Sequence, residues 1–201
     1  MRVTRTTLAV VAVAATALAG CGGDDEQATA GATAEHGAAH AQTAAAHGGG
    51  HDGGHMTELA SAERGDMTIA VAASPPETFY VSEGDDLREQ APAPGDDAHL
   101  MVTLTDTESG IRLPDATVTA RVSDTGGEVV FEGPLYPMVG RGMGMHYGEN
   151  VDVGEAGRYE ITLTVGSPRV GRHEAVAKAW RGPQRVALEV EFDGESFHPA
   201  S

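Results

Sequence analysis

From Met67 onward, apolar and polar residues alternate in short runs: MTIAVAA, ETFYV, AHLMVTLT, ATVTARVS, EVVFEG, YEITLTV and RVALEVEF. A period of two built largely on valine, threonine and isoleucine predicts β-strands. Glycine, proline and aspartate separate the runs at SPP, APAPGDD, DTESG, SDTGG, GEAG and VGSP, and no stretch holds the 3.6-residue period of a long helix. About seven strands in roughly 130 residues predict an all-β, immunoglobulin-like two-sheet sandwich. Within EAGRYEITLTV, the residues Tyr159, Ile161, Leu163 and Val165 share one face. A tyrosine opening such a strand is placed like the corner tyrosine of immunoglobulin-like sandwiches.

The amino-terminal third follows another pattern. Arg2 and Arg5 precede an apolar run from Leu8 to Leu18 and the box Leu18-Ala19-Gly20-Cys21. This predicts a lipoprotein signal peptide over residues 1–20, cleaved before Cys21. The run is too short for a permanent membrane helix. Cys21 is the only cysteine, so no internal disulfide exists and its thiol is free to carry lipid. Residues 21–65 are expected to be a disordered tether rich in alanine, glycine and histidine, because this composition buries too little surface to fold. It contains His36, His40, His47, His51 and His55, flexible imidazoles suited to weak, exchangeable metal capture or to a polar spacer. The folded domain is expected over residues 66–201, at the outer face of a membrane.

Charge narrows the partners. The chain carries 13 basic and 30 acidic residues, a formal net charge of −17. Such a balance disfavours a nucleic-acid partner. The sole lysine, Lys178, follows Ala177, so there is no phosphate-cradling Walker loop. HEAVA at His173 begins like a zinc-protease helix but has Ala177 where the second histidine belongs. A blue-copper centre needs a thiolate, which the tether has taken. No G-x-S-x-G elbow or evident acid–base pair is present, and no enzymatic activity is expected.

Thioethers and imidazoles are the remaining soft or borderline ligands. In DDAHLMVTLTD, strand geometry sends Leu100, Val102 and Leu104 to one face and His99 and Met101 to the other. YPMVGRGMGMHYG adds Met138, Met143, Met145 and His146 in a stretch read as a loop, and VGRHE adds His173. This donor set suits copper, Cu(I) especially, better than calcium or magnesium. Glycines around Met143 and Met145 are expected to keep the approach uncrowded. These methionines are also of a kind that fills interfaces between protomers.

At these residues the chain resembles the periplasmic, iron-uptake-associated copper- and iron-binding proteins, a family that includes lipoprotein antigens of pathogens. The matching segments are His99-Leu100-Met101, Tyr136-Pro137-Met138-Val139, His146-Tyr147-Gly148, Gly157-Arg158-Tyr159 and Arg172-His173, in order from about Asp97 to Phe192. The resemblance implies an immunoglobulin-like sandwich that forms a homodimer, with metal near the interface. His99, Met138, His146 and His173 stand at the family's ligand positions. Met101 replaces a family glutamate, which softens the site and disfavours ferrous iron relative to Cu(I). The Met138–His146 gap is one residue longer than expected, leaving Met143 or Met145 as rival ligands. Gly171 replaces another family histidine.

The function expected is that of an extracytoplasmic, lipid-anchored protein that binds copper, with iron as a second candidate. It would assist uptake beside an iron permease, with His99, Met101, Met138, His146 and His173 as ligands and Met143 and Met145 as auxiliaries. The alternatives are a copper-tolerance sponge working through the histidine tether, a redox-active copper site serving iron transport, and a structural sandwich without metal.

Overall fold

The computed structural model describes residues 56–201. Cys21 and the five tether histidines, with the signal and lipidation expected there, lie outside the described residues. The strands are β1 (Thr57–Arg64), β2 (Met67–Ser74), β3 (Phe79–Glu83), β4 (Asp86–Gln90), β5 (Ala98–Asp106), β6 (Val118–Asp124), β7 (Val129–Gly140), β8 (Gly144–Val151), β9 (Gly157–Val165), β10 (Gln184–Phe192) and β11 (Phe197–Pro199), with one short 3-10 turn at Glu174–Val176. All seven alternating runs are strands. The order across the main sheet is β1-β2-β5-β8-β7-β6-β9-β10-β11, and β3 pairs separately with β4.

This sheet folds into a nearly closed sandwich because β7 serves both layers. Its residues Val129 to Leu135 pair with β6, and Tyr136 to Gly140 pair with β8. β1 then returns against β10 and β11. Between the layers lie Ile69, Val71, Leu100, Val102, Ile161 and Leu163, all inaccessible to solvent. Each such side chain contributes about 1.5–3 kcal/mol of hydrophobic stabilisation relative to exposure. Tyr159 donates its hydroxyl to the carbonyl of Glu155 at 2.6 Å, four residues upstream. This ties the strand start back to the preceding turn, in the manner of a tyrosine corner.

Two expectations change. The folded domain begins at Thr57 rather than at residue 66, because β1 pairs with β2 along Thr57 to Arg64. The stretch read as a loop around Met143 and His146 is a hairpin of β7 and β8, in register Met138 to His146 and Gly140 to Gly144. Its glycines serve the turn, since Gly142 and Gly144 have φ of 82° and 77°, angles that side-chain-bearing residues rarely adopt.

Candidate metal centre

The outer face of β5 and β8 is built by alternation. Leu100, Val102 and Tyr147 turn to the core, so His99, Met101, His146 and Gly148 turn outward. The antiparallel register sets His99 opposite Asn150 and Met101 opposite Gly148. On the other side of β8, Met138 faces His146 and Tyr136 faces Gly148. An outward face of a sheet is ordinarily wet, yet His99 is wholly buried, Met101 is 3% exposed and His146 is 3% exposed.

The β3–β4 hairpin provides the cover. Phe79 and Val81 are buried, and the Phe79 ring lies 5.3 Å from that of His99. Phe79, Val81 and Met101 are all buried yet lie outside the main core cluster. The hairpin was legible in the sequence only through β3, because β4 (DLREQ) is almost entirely exposed and shows no contrast between faces.

Each histidine has a defined tautomer. The Asn150 side-chain nitrogen donates to the carbonyl of Glu77 at 2.9 Å. Its Oδ1 is thereby turned toward the Glu77 amide, at 3.3 Å, and toward His99 Nδ1, at 2.9 Å. An amide oxygen only accepts, so Nδ1 of His99 carries the proton and Nε2 presents its lone pair. His146 Nδ1 lies 3.0 Å from the carbonyl of Gly144, which by the same logic leaves its Nε2 as the lone-pair nitrogen. A backbone or amide oxygen on one ring nitrogen is the usual means of aiming the other at a metal.

His99 Nε2 is buried and has no hydrogen-bond partner. Buried polar atoms are nearly always paired, because an orphan forfeits its hydration. The ring lies directly against Gly148: a Cβ there would stand 2.6 Å from Nε2 and 3.0 Å from Cε1. The glycine is required by the approach of the ring. Burial, and to a lesser degree the nearby charge of His146, hold the His99 pKa below the usual histidine value, against the opposing pull of Asn150 and Glu77. The ring is therefore kept neutral, as a metal ligand must be. Among the described residues no three His, Cys, Asp or Glu side chains are already gathered closely enough to hold a metal, so a cation at His99 would draw on thioethers as well. Met101 and Met138 border the two histidines. The buried, unpartnered Nε2 and the thioethers on the same face together fit a soft or borderline cation.

Other expected ligands are placed differently. His173 is exposed and stands just before the 3-10 turn, without a capping bond. Its neighbour Arg172 stacks 5.3 Å over Trp180, and Trp180 Nε1 donates to Asp106 at 2.8 Å. Asp106 ends β5 and His99 is near its start, seven residues away and so roughly 23 Å at strand rise. His173 is therefore not gathered with His99 within one chain, because its loop is anchored at the far end of the sandwich. Met145 alternates with His146 and packs against the main core; the auxiliary role expected of it is not supported by its position. Met143 lines a shallow groove with Met56, Ala70, Ala72 and Thr103, beyond Met101 along the same outer surface. Glu77, not singled out in the sequence, is brought beside His99, its Oε1 3.5 Å from Nε2. Only the two prolines before it, Pro75 and Pro76, hinted at a fixed turn there.

A nearly closed β-sandwich that shelters one lone-pair imidazole under a hairpin, with a second imidazole and two thioethers on the same sheet face, has the form of a small binding module. The chain belongs to the family described as a domain of unknown function, DUF7350, whose model matches residues 50–189. No curated protein sequence matches it. Its fold is similar to that of FetP of uropathogenic E. coli strain F11, at 23% identity and a TM-score of 0.56, over 71% of this chain and 99% of that one. It is also similar to a copper-bound variant of Campylobacter jejuni P19, at 24% identity and TM-score 0.56, over 71% of this chain and all (100%) of that one. Copper-reconstituted P19 aligns at 23% identity and TM-score 0.52, over 73% and 100%.

Proposed function

We propose that this protein is an extracytoplasmic, lipid-anchored carrier that binds copper, and ferrous iron as a second cargo, through His99, Met101, Met138 and His146. It performs no covalent chemistry and assists metal uptake beside an iron permease. The observation that carries this reading is the buried, unpartnered Nε2 of His99, left with its lone pair by the Asn150 contact at Nδ1. A folded chain tolerates such an atom when something else completes it. The copper-bound forms of the similarly folded P19 support the choice of metal. No helix among the described residues is long and apolar enough to cross a membrane; in this reading attachment is by lipid at Cys21.

In this reading the protein works as an immunoglobulin-like homodimer. The exposed His173 then reaches a site only from a second copy, where it adds a third imidazole. The test is titration of the purified domain with Cu(I), Cu(II) and Fe(II). Stoichiometric binding that disappears in the double variant His99→Ala, His146→Ala supports the reading, and unchanged binding in that variant ends it. Sedimentation with and without metal, repeated for His173→Ala, decides the role of the second copy.

A further inference from the structure

We infer that Glu77 is the anionic ligand of this centre and sets its preference between monovalent and divalent ions. The inference rests on the metal-site reading above and names a donor that reading does not contain. Without it, every donor at the site is neutral, two imidazoles and two thioethers, a set that favours Cu(I). A carboxylate adds one negative charge and one hard oxygen, both of which favour Cu(II) and Fe(II).

The geometry around Glu77 is specific. Ser74 ends β2 opposite His99, and Pro75 and Pro76 then restrict the backbone that leads to Glu77. Asn150 grips the Glu77 main chain twice, accepting from its N–H at 3.3 Å and donating to its carbonyl at 2.9 Å. Two residues on, the Phe79 ring rests near His99. The same Asn150 oxygen receives His99 Nδ1–H, so a single side chain orients the imidazole and fixes the backbone that bears the carboxylate.

What results is an arrangement that a hydrogen bond does not explain. The Asn150 contacts leave a lone pair on His99 Nε2, and Glu77 Oε1 stands 3.5 Å from it. Two acceptors therefore face each other, and Nε2 forms no hydrogen bond. Two donors bound about 2.1 Å from one tetrahedral cation stand roughly 3.4 Å apart. The observed spacing is that of two ligands sharing an ion. The Glu77 side chain is half exposed, 51%, whereas His99 is buried, which puts the carboxylate at the mouth of the site as the first donor an entering cation meets.

The experiment compares the full chain with Glu77→Gln and Glu77→Asp, measuring Cu(I) affinity by chelator competition and Cu(II) and anaerobic Fe(II) affinity by direct titration. The double variant His99→Ala, His146→Ala runs alongside, and thermal melting confirms folding. Glu77→Gln is expected to weaken Cu(II) and Fe(II) by on the order of 10–100-fold, the scale of losing a group that tunes a metal site. Cu(I) should change by less than about threefold, since the thioethers and imidazoles that hold it are retained. Glu77→Asp should recover part of the divalent affinity, and the electron paramagnetic resonance spectrum of bound Cu(II) should change in Glu77→Gln. An unchanged ratio of Cu(II) to Cu(I) affinity in Glu77→Gln, with binding still abolished in the double histidine variant, overturns this inference and leaves the site intact. Undiminished binding in the double variant overturns both.

Discussion

Strands β5 and β8 bury both of their faces, and the two faces are finished in different ways. On the inner one, Tyr147 shows the rule: it is completely buried, its hydroxyl donates to the carbonyl of Leu113 at 3.0 Å and accepts from the amide of Ala116 at 3.0 Å. On the outer face, His99 is equally buried. Among the described residues His99 Nε2 is the one buried side-chain nitrogen or oxygen without a hydrogen-bond partner. The inner face pairs the Tyr147 hydroxyl within the protein, and the outer one leaves His99 Nε2 unpaired, the atom on which the proposed site rests. The same strands thus hold the fold with one side and, in the proposed reading, offer a site with the other.

Removing both outer imidazoles, as in His99→Ala with His146→Ala, is expected to erase metal binding in titration calorimetry, the largest effect of all. Leu100→Ala, one residue from His99 on the inner side, should cost about 2–5 kcal/mol in denaturant unfolding and leave the metal affinity of the folded fraction unaltered. A loss of affinity as large as that of the histidine variant would show that the two faces are not separable.

Finer changes sharpen the contrast. Gly148→Ala places a methyl group against His99 Nε2, with its Cβ at 2.6 Å. Overpacking there should cost about 1–3 kcal/mol of stability, and metal titration should show weakened binding. Asn150→Ala removes the group that fixes the His99 tautomer; affinity should fall about 10–100-fold, checked by competition with a chelator.

Acid provides a smaller lever. The His99 pKa is lowered in the fold, mainly by burial, so between that depressed value and the unfolded value near 6.5 the unfolded chain binds the extra proton. The contribution to metal-free stability is complete above about 6.5 and is lost as pH falls through this window. Melting of the metal-free protein from pH 7.5 to 5 should show the decline, and a His99→Phe variant should show less of it. The smallest effect is expected from deleting residues 22–55, which should barely alter high-affinity binding to the domain. A large loss in that deletion would shift the function to the histidine tether.

Much of the scaffold was legible as alternation, and what escaped lacked it. β1 buries only Leu59 deeply and β4 almost nothing, so neither presents an apolar face to read. β8 carries glycines, a histidine and an asparagine on its outer side, and polar residues facing a buried surface look like a loop. The pairing of His99 with Met101 was legible because residues two apart on a strand share a face. The position of Met145 opposite to His146 follows from the same rule, once the stretch is known to be a strand.

The sequence by itself determined the all-β class and the shared faces of Leu100, Val102 and Leu104 and of Tyr159, Ile161, Leu163 and Val165, and it pointed to imidazole and thioether donors, because these depend on residue type and local period. The tertiary structure decided that the β3–β4 hairpin covers the outer face, that Asn150 aims His99, that Glu77 arrives beside it, and that His173 stays away. Those outcomes depend on which distant segments pair and in what register, and a shift of one residue in β5 or β8 would turn His99 or Asn150 to the other face.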